Sequence, residues 1–417
     1  MPRFLHIADI HLGYDKYDNP ERTKDFYFAL QDVIDRYAIA ANVDFVLIAG
    51  DLFEHRNLQP HILNQAQLCL DQLKQANIPV LAIEGNHDNR PYGTKTSWLR
   101  YLADWGLLML LEPELNAEGV MVYTHWNPES KRGGYIDLPC GIRVLGSQWY
   151  GTSAPRAIAT IAAAIQTLPP AAGSTVMMFH HGLEGQIARY EGALRYADLL
   201  PLQEVGVSYL ALGHIHKNYA REGWVFNPGS LEANNVEEAG YQRGAYLVEV
   251  TPAGFEAELK QDYYQRSCVR LRLTAKGQET QAEIEAAAIA TVQTAIAKGH
   301  IVTEEQPIVE LKIDGKIGFD RLELNTRQLQ HELQQLSNAL IFLLKFDAES
   351  IEFETHITEE ANRLQIEQEI FTDMLAAHNT YKAKAQELAL GLIELKDQQM
   401  QGHSEEEMYE FAKNLLI

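Results

Sequence analysis

The chain has 417 residues, 46% of them hydrophobic and 22% charged. That length accommodates two or three domains and a large core, while no apolar run approaches the roughly 20 residues that span a bilayer. A formal net charge of −22 argues against a chain that grips a nucleic-acid duplex with its own basic surface.

The acidity is spread evenly. Residues 1–262 carry 20 Lys and Arg against 31 Asp and Glu, and residues 263–417 carry 15 against 26. Bound divalent cations would offset part of this at a site. The remainder implies a small substrate or a partner that supplies the electrostatic grip. Cys69, Cys140 and Cys268 are far apart and form no CxxC pair, as expected of buried thiols in a reducing compartment. The N-terminal stretch lacks the apolar core and cleavage site of a signal peptide. Both features place the protein in the cytoplasm.

In chain order, short apolar runs predict strands at Phe4–Ala8, Phe45–Ala49, Val80–Ile83, Val120–Thr124, Ile142–Leu145, Val176–Phe179, Tyr209–Leu212, Trp224–Phe226 and Ala245–Val250. Helical patterns at Glu21–Ala40 and His61–Gln75 lie between some of them, the second preceded by Pro60. This alternation predicts an α/β domain. A second region begins near Tyr263, with strands at Cys268–Thr274, Ile308–Ile313 and Ala339–Lys345 and helices at Glu279–Ala297 and Thr326–Leu336. From Thr358 onward the chain lacks Pro and reads as helix. There, Phe371, His378, Ala385 and Leu392 recur every seven residues, as do Met374, Tyr381, Leu388 and Leu395. The seam fits a helix packed on its own domain or one docked on a partner. Polar His378 and small Ala385 weaken it as a self-pairing coiled coil.

The chemistry sits where strands end. Phe4–Ala8 runs into Asp9-Ile10-His11, whose i, i+2 spacing would aim both side chains to one side of an extended chain. Phe45–Ala49 runs into Gly50-Asp51, and Val80–Ile83 into Gly85-Asn86-His87-Asp88. Val176–Phe179 runs into His180-His181, and Tyr209–Leu212 into Gly213-His214-Ile215-His216. Ligands bind beyond the carboxyl ends of strands in open α/β sheets. Five segments delivering Asp, Asn or His to that edge point to a two-metal site. His181 would point away from it. His61, His125, His300, His331, His356 and His403 match no ligand spacing. Tyr14, Lys16, Tyr17, Arg56, Arg90, Tyr92 and Lys95 offer loops suited to phosphate contact and base stacking, or simply to solvation.

These motifs, DxH, GD, GNHD, H and GHxH in order, resemble the calcineurin-like metallophosphoesterase superfamily. Leu12-Gly13-Tyr14, Arg22, Asp25, Leu52-Phe53 and Asn227-Pro228-Gly229-Ser230 narrow the resemblance to the Mre11/SbcD nuclease family. The resemblance is specific over about residues 1–250, architectural over about 263–345 and weak beyond 358. It implies a metallophosphoesterase β-sandwich flanked by helices (1–262), a small α/β capping domain (263–346) and a helical partner-binding region (347–417). It also implies two divalent ions, Mn²⁺ by analogy, although the mixed ligands equally suit Fe²⁺, Zn²⁺ or Co²⁺. Asp9, His11 and His216 would hold the first, Asn86, His180 and His214 the second, and Asp51 would bridge them. His87 would protonate the leaving oxygen or stabilise the transition state, and Asp88 would orient His87. Many relatives carry a DNA-positioning His at the third position after the GD aspartate. Here that residue is Glu54, with His55 next, as a substitute for that role or as a plain surface residue.

The implied activity is a DNA exonuclease and endonuclease, the nuclease subunit of an SbcCD/Mre11–Rad50-type repair complex. A coiled-coil ATPase would bind the C-terminal helices, and a homodimer would form through helices near His61–Gln75 and Ser97–Ala103. Two alternatives stay open: an esterase of nucleotides or small phosphodiesters, and a scaffold that retains the cage.

Overall fold

A computed structural model describes residues 1–186, 192–350, 363–376, 381, 384–400 and 403–416. His356 and His378 lie outside them. The strands are β1 (Arg3–Ile7), β2 (Phe45–Ile48), β3 (Val80–Ala82), β4 (Met109–Leu110), β5 (Glu114–Leu115), β6 (Met121–Val122), β7 (Tyr135–Asp137), β8 (Arg143–Leu145), β9 (Thr175–His180), β10 (Val207–Gly213), β11 (Tyr219–Arg221), β12 (Val225–Asn227), β13 (Ala245–Thr251), β14 (Gly254–Lys260), β15 (Cys268–Lys276), β16 (Ile308–Ile317), β17 (Ile341–Phe346) and β18 (Glu349–Ser350). The helices are α1 (Pro20–Val33), α2 (Pro60–Gln75), α3 (Trp98–Asp104), α4 (Ala154–Gln166), α5 (Tyr196–Glu204), α6 (Gln281–Ala297), α7 (Thr326–Ser337), α8 (Arg363–Ala376), α9 (Ala385–Met400) and α10 (Glu405–Leu416).

Two six-stranded sheets dominate the first compact unit, in the orders β14-β13-β1-β2-β3-β4 and β11-β12-β10-β9-β8-β7. β1, β2, β3 and β4 run parallel, as do β8, β9, β10 and β12. Both faces of each sheet are covered, which explains the unbroken apolar runs. Phe4, Phe45, Leu47 and Leu81 from one sheet and Val144, Val176, Met178 and Tyr209 from the other share one buried cluster. On the outer side of the first sheet, Leu5, Ile7, Val46 and Ile48 pack with Phe26, Leu30, Leu70 and Leu102 of α1, α2 and α3. On the outer side of the second, Met177, Phe179, Leu210 and Leu212 pack with Ile158, Ile161 and Leu199 of α4 and α5.

The first expected helix is two elements. Asn19 caps α1 by accepting from the N–H groups of Glu21 and Arg22, and a π-helical segment, Ile34–Ile39, follows α1. Within α1, Arg22 and Asp25 are buried and paired at 2.9 Å. Asp25 also accepts from Tyr264 Oη at 2.6 Å and Arg266 Nη2 at 2.7 Å, and Arg266 N donates to buried Glu232 at 2.7 Å. This charge-balanced knot anchors the chain where it leaves the sandwich.

The second compact unit comprises Arg270–Ile301, Glu310–Asn338 and Phe342–Ile417. Its sheet has the order β15-β16-β17, with β18 beside β16. Thr280 and Glu283 form a capping box that starts α6. Glu310, 1% exposed, pairs with Arg270 at 2.9 Å and Lys345 at 2.7 Å. The heptad seam is not one continuous helix. α8 ends at Ala376, Tyr381 lies in a turn, and α9 starts at Ala385. An ion pair from Glu367 to Lys396 at 2.6 Å ties α8 to α9.

Candidate metal centre

The seven cage residues leave five strands at their carboxyl ends: β1, β2, β3, β9 and β10. The two sheets therefore contribute to one edge. Asp9, His11 and His216 form one group whose ligand atoms lie within 4.8 Å of one another, and Asp51, His180 and His214 form another. Asn86 joins the second group, its Oδ1 lying 2.9 Å from His214 Nδ1 and 3.2 Å from His180 Nε2. Asp51 Oδ2 lies 3.1 Å from His180 Nε2, while its Oδ1 accepts from His87 N at 2.9 Å. Both carboxylates of Asp9 and Asp51 are buried.

The backbone mechanism differs from the expected one. Asp9, His11, Asp51 and His214 have φ of 51°, 53°, 53° and 87°, so their side chains are aimed by left-handed backbone and not by the alternation of an extended strand. Such conformations cost non-glycine residues of order 1–3 kcal/mol each and persist where the surroundings over-determine them. Here Ile10 N and His11 N both donate to Asp51 O, at 2.8 and 3.1 Å, which clamps the two loops together. Gly50 and Gly85 are needed for space: a Cβ on Gly50 would strike the His180 ring, and one on Gly85 would strike the Asp51 carboxylate.

Several rings are oriented by acceptors outside the cage. His180 Nδ1 donates to Ala49 O at 2.8 Å, leaving Nε2 for the centre. His216 Nδ1 sits 3.1 Å from Glu238 Oε1 and turns its Nε2 to His11 Nε2, also at 3.1 Å. Burial works against charge on His180, yet Asp51 and Asp9 bring its pKa up to about 9. His216 behaves likewise through Glu238, also reaching about 9. Burial and the charge of His180 push His214 down to about 3. A bound divalent ion would replace the protons that otherwise reconcile these groups. Imidazole nitrogens mixed with carboxylate and amide oxygens suit a first-row divalent ion, and His11 Nε2 and His216 Nε2 are close enough for both to be held by one ion.

His87 stands at the rim with its side chain 35% exposed. Its Nδ1 donates to the backbone carbonyl of Glu54 at 2.7 Å. Asp88 does not orient it. The buried Asp88 carboxylate accepts from Leu52 N at 3.2 Å, Phe53 N at 3.1 Å and Gly85 N at 3.1 Å, so it fastens the β2 and β3 loops together. Burial, then the nearby Asp51 charge, raises its pKa to about 7.

His181 turns to the carbonyls of Gly182 and Gly151, at 3.2 and 3.1 Å, and stacks on Trp149 at 5.7 Å. His55 is a half-exposed partner of Asp15 at 3.0 Å. Tyr14 is 3% exposed and stacks on Phe26 at 4.7 Å, so it lines no open loop. Trp149, whose ring centroid is 5.2 Å from that of His214, and Glu238 escaped sequence reasoning because neither sits at ligand spacing. Glu54, read as a departure, lies 2.7 Å from His11 Nδ1.

Comparison with known proteins agrees with this geometry. The family profile described as calcineurin-like phosphoesterase matches residues 2–218. A DNA double-strand break repair protein Mre11 from Archaeoglobus fulgidus is 33% identical over 57% of this chain and 52% of its own length. Another Mre11, from Saccharolobus solfataricus, is 29% identical over 60% of each chain. A metallophosphoesterase described as uncharacterized, YhaO of Bacillus subtilis, is 30% identical over 62% of this chain and 59% of its own. The matches thus span between half and three-fifths of these relatives. The profile covers more than half of the chain and ends on the last strand-end histidines, so the chain belongs to the calcineurin-like phosphoesterase family.

Proposed function

We propose that the chain is a metal-dependent DNA exonuclease and endonuclease, the nuclease subunit of a Rad50/SbcC-partnered double-strand break repair complex. The observation that carries this reading is the convergence of seven ligand-type residues on one edge with His87 at its rim. Asp9, His11 and His216 would hold one ion, Asn86, His180 and His214 a second, with Asp51 between them and Mn²⁺ the expected metal. Bound there, such ions supply an activated water and neutralise charge on the phosphoryl group in transit. His87 faces that group from the rim. With Nδ1 engaged by Glu54 O, its Nε2 is the nitrogen that gives a proton to the leaving oxygen. Asp88 keeps the two loops that carry Asp51 and His87 in register.

Similarity to Mre11 proteins supports DNA as substrate. Residues 1–262 would be the nuclease domain, 263–346 a cap and 347–417 the region that binds the ATPase. Exposed Leu68 on α2 and Trp105 just after α3 suit a homodimer face. Among the described residues no helix is long and apolar enough to cross a membrane, in keeping with work on DNA in the cytoplasm.

The test is cleavage of linear single- and double-stranded DNA by the purified chain with Mn²⁺, with and without the partner ATPase. Degradation of either substrate supports the reading. Intact DNA beside rapid hydrolysis of bis(p-nitrophenyl) phosphate overturns it in favour of a small-diester esterase, a second reading that the net charge of −22 favours.

A further inference from the structure

Glu54 holds two histidines of the site by different atoms. Its backbone carbonyl accepts from His87 Nδ1 at 2.7 Å. Its side-chain Oε2 lies 2.7 Å from His11 Nδ1 and 3.8 Å from His87 Nδ1. The side chain is 16% exposed, and Oε2 and His11 Nδ1, both buried, face each other as an ion pair and meet no other hydrogen-bond partner among the described residues. The contact between them is therefore the main electrostatic satisfaction open to either atom. His11 directs its other nitrogen, Nε2, at His216 Nε2.

A carboxylate on one imidazole nitrogen places the ring proton there and leaves the opposite lone pair for a cation. His216 is treated in the same manner by Glu238, and His180 by a backbone carbonyl. We propose that Glu54 is a positioning residue of divided function: its carboxylate aims His11 at the first ion, and its main chain aims His87 at the substrate. Side-chain substitution separates the two tasks, because the carbonyl that holds His87 survives it. The inference rests on the two-ion reading above.

The experiment is a chelator-competition titration of Mn²⁺ into the full chain and into E54A, E54M and E54Q. E54M keeps the bulk of the side chain and deletes the acceptor, which guards against a packing defect in E54A, and thermal unfolding of the metal-free proteins reports the fold. Removing the acceptor is expected to weaken one Mn²⁺ site about 10- to 100-fold and to leave the other within about threefold. E54Q retains an acceptor oxygen and is expected to recover most of the loss. Wild-type affinity at both sites in E54A and E54M overturns the inference, as does an E54Q that binds no better than E54M. If the unsubstituted chain binds no Mn²⁺, the two-ion reading fails with it. Two tight sites insensitive to residue 54 defeat the positioning role alone.

Discussion

His11 and His216 bring their Nε2 atoms to 3.1 Å. Two imidazole lone pairs at that separation repel unless they share a proton or bind one cation together. Mn²⁺ at a hundredfold excess over its Kd is therefore expected to add about 2.7 kcal/mol to the unfolding free energy per site occupied in the native state alone. Urea unfolding with and without Mn²⁺, then with a chelator added, measures this. An unchanged midpoint would count against a cation in the cage.

His87 contacts the site through its backbone N–H and the Glu54 carbonyl, and the proposed seven-residue cage does not use its side chain. H87A is expected to lower DNA cleavage by about 10²- to 10⁴-fold while the metal content, read by elemental analysis, stays at the wild-type value. Loss of metal would remove His87 from its assigned role.

Asp88 has three backbone N–H partners. D88A strands them inside the protein, at a cost of roughly 2–4 kcal/mol in stability. Denaturant unfolding of the metal-free variant checks the figure. A residue that served only to orient His87 would give the opposite pattern, wild-type stability with depressed turnover.

His6 is buried between Tyr209 Oη and Leu212 O, both at 3.0 Å, and burial lowers its pKa from 6.5 to about 3. The unfolded chain then binds a proton that the native chain refuses. The stability linked to His6 is complete above pH 6.5 and declines as pH falls toward 3, by about 1.4 kcal/mol per pH unit. Chelator-treated wild type and H6Q, unfolded in urea at pH 7.5 and 5.5, should differ by about that amount in their acid sensitivity. Equal sensitivity would show that His6 takes up its proton in the native state.

The strand ends were legible because an apolar run that stops at Asp, Asn or His announces both a buried strand and a polar edge. β1, β2, β9 and β10 were found in this way. β14 was not: Glu256 and Glu258 alternate with apolar residues along an edge strand, and the run never becomes apolar. The left-handed backbone at Asp9 and His11 is invisible in the sequence, since it is held by donation from Ile10 N and His11 N to Asp51 O on the loop that follows β2. Asp88 adjoins His87 in the chain, which suggested a partnership, but its carboxylate faces the opposite loop. The seam reads in the sequence as one run, whereas Tyr381 lies in a turn between α8 and α9, and periodicity does not register a turn.

The four proposed ligands in left-handed conformation, Asp9, His11, Asp51 and His214, have a consequence for selection experiments. Glycine at position 9, 11, 51 or 214 would relieve the backbone and strip the cage in one step. A screen for thermal robustness of the metal-free chain and a screen for turnover would therefore move these positions in opposite directions. In such paired libraries, the residues where the two selections disagree most would trace the outline of the site without any structure at hand.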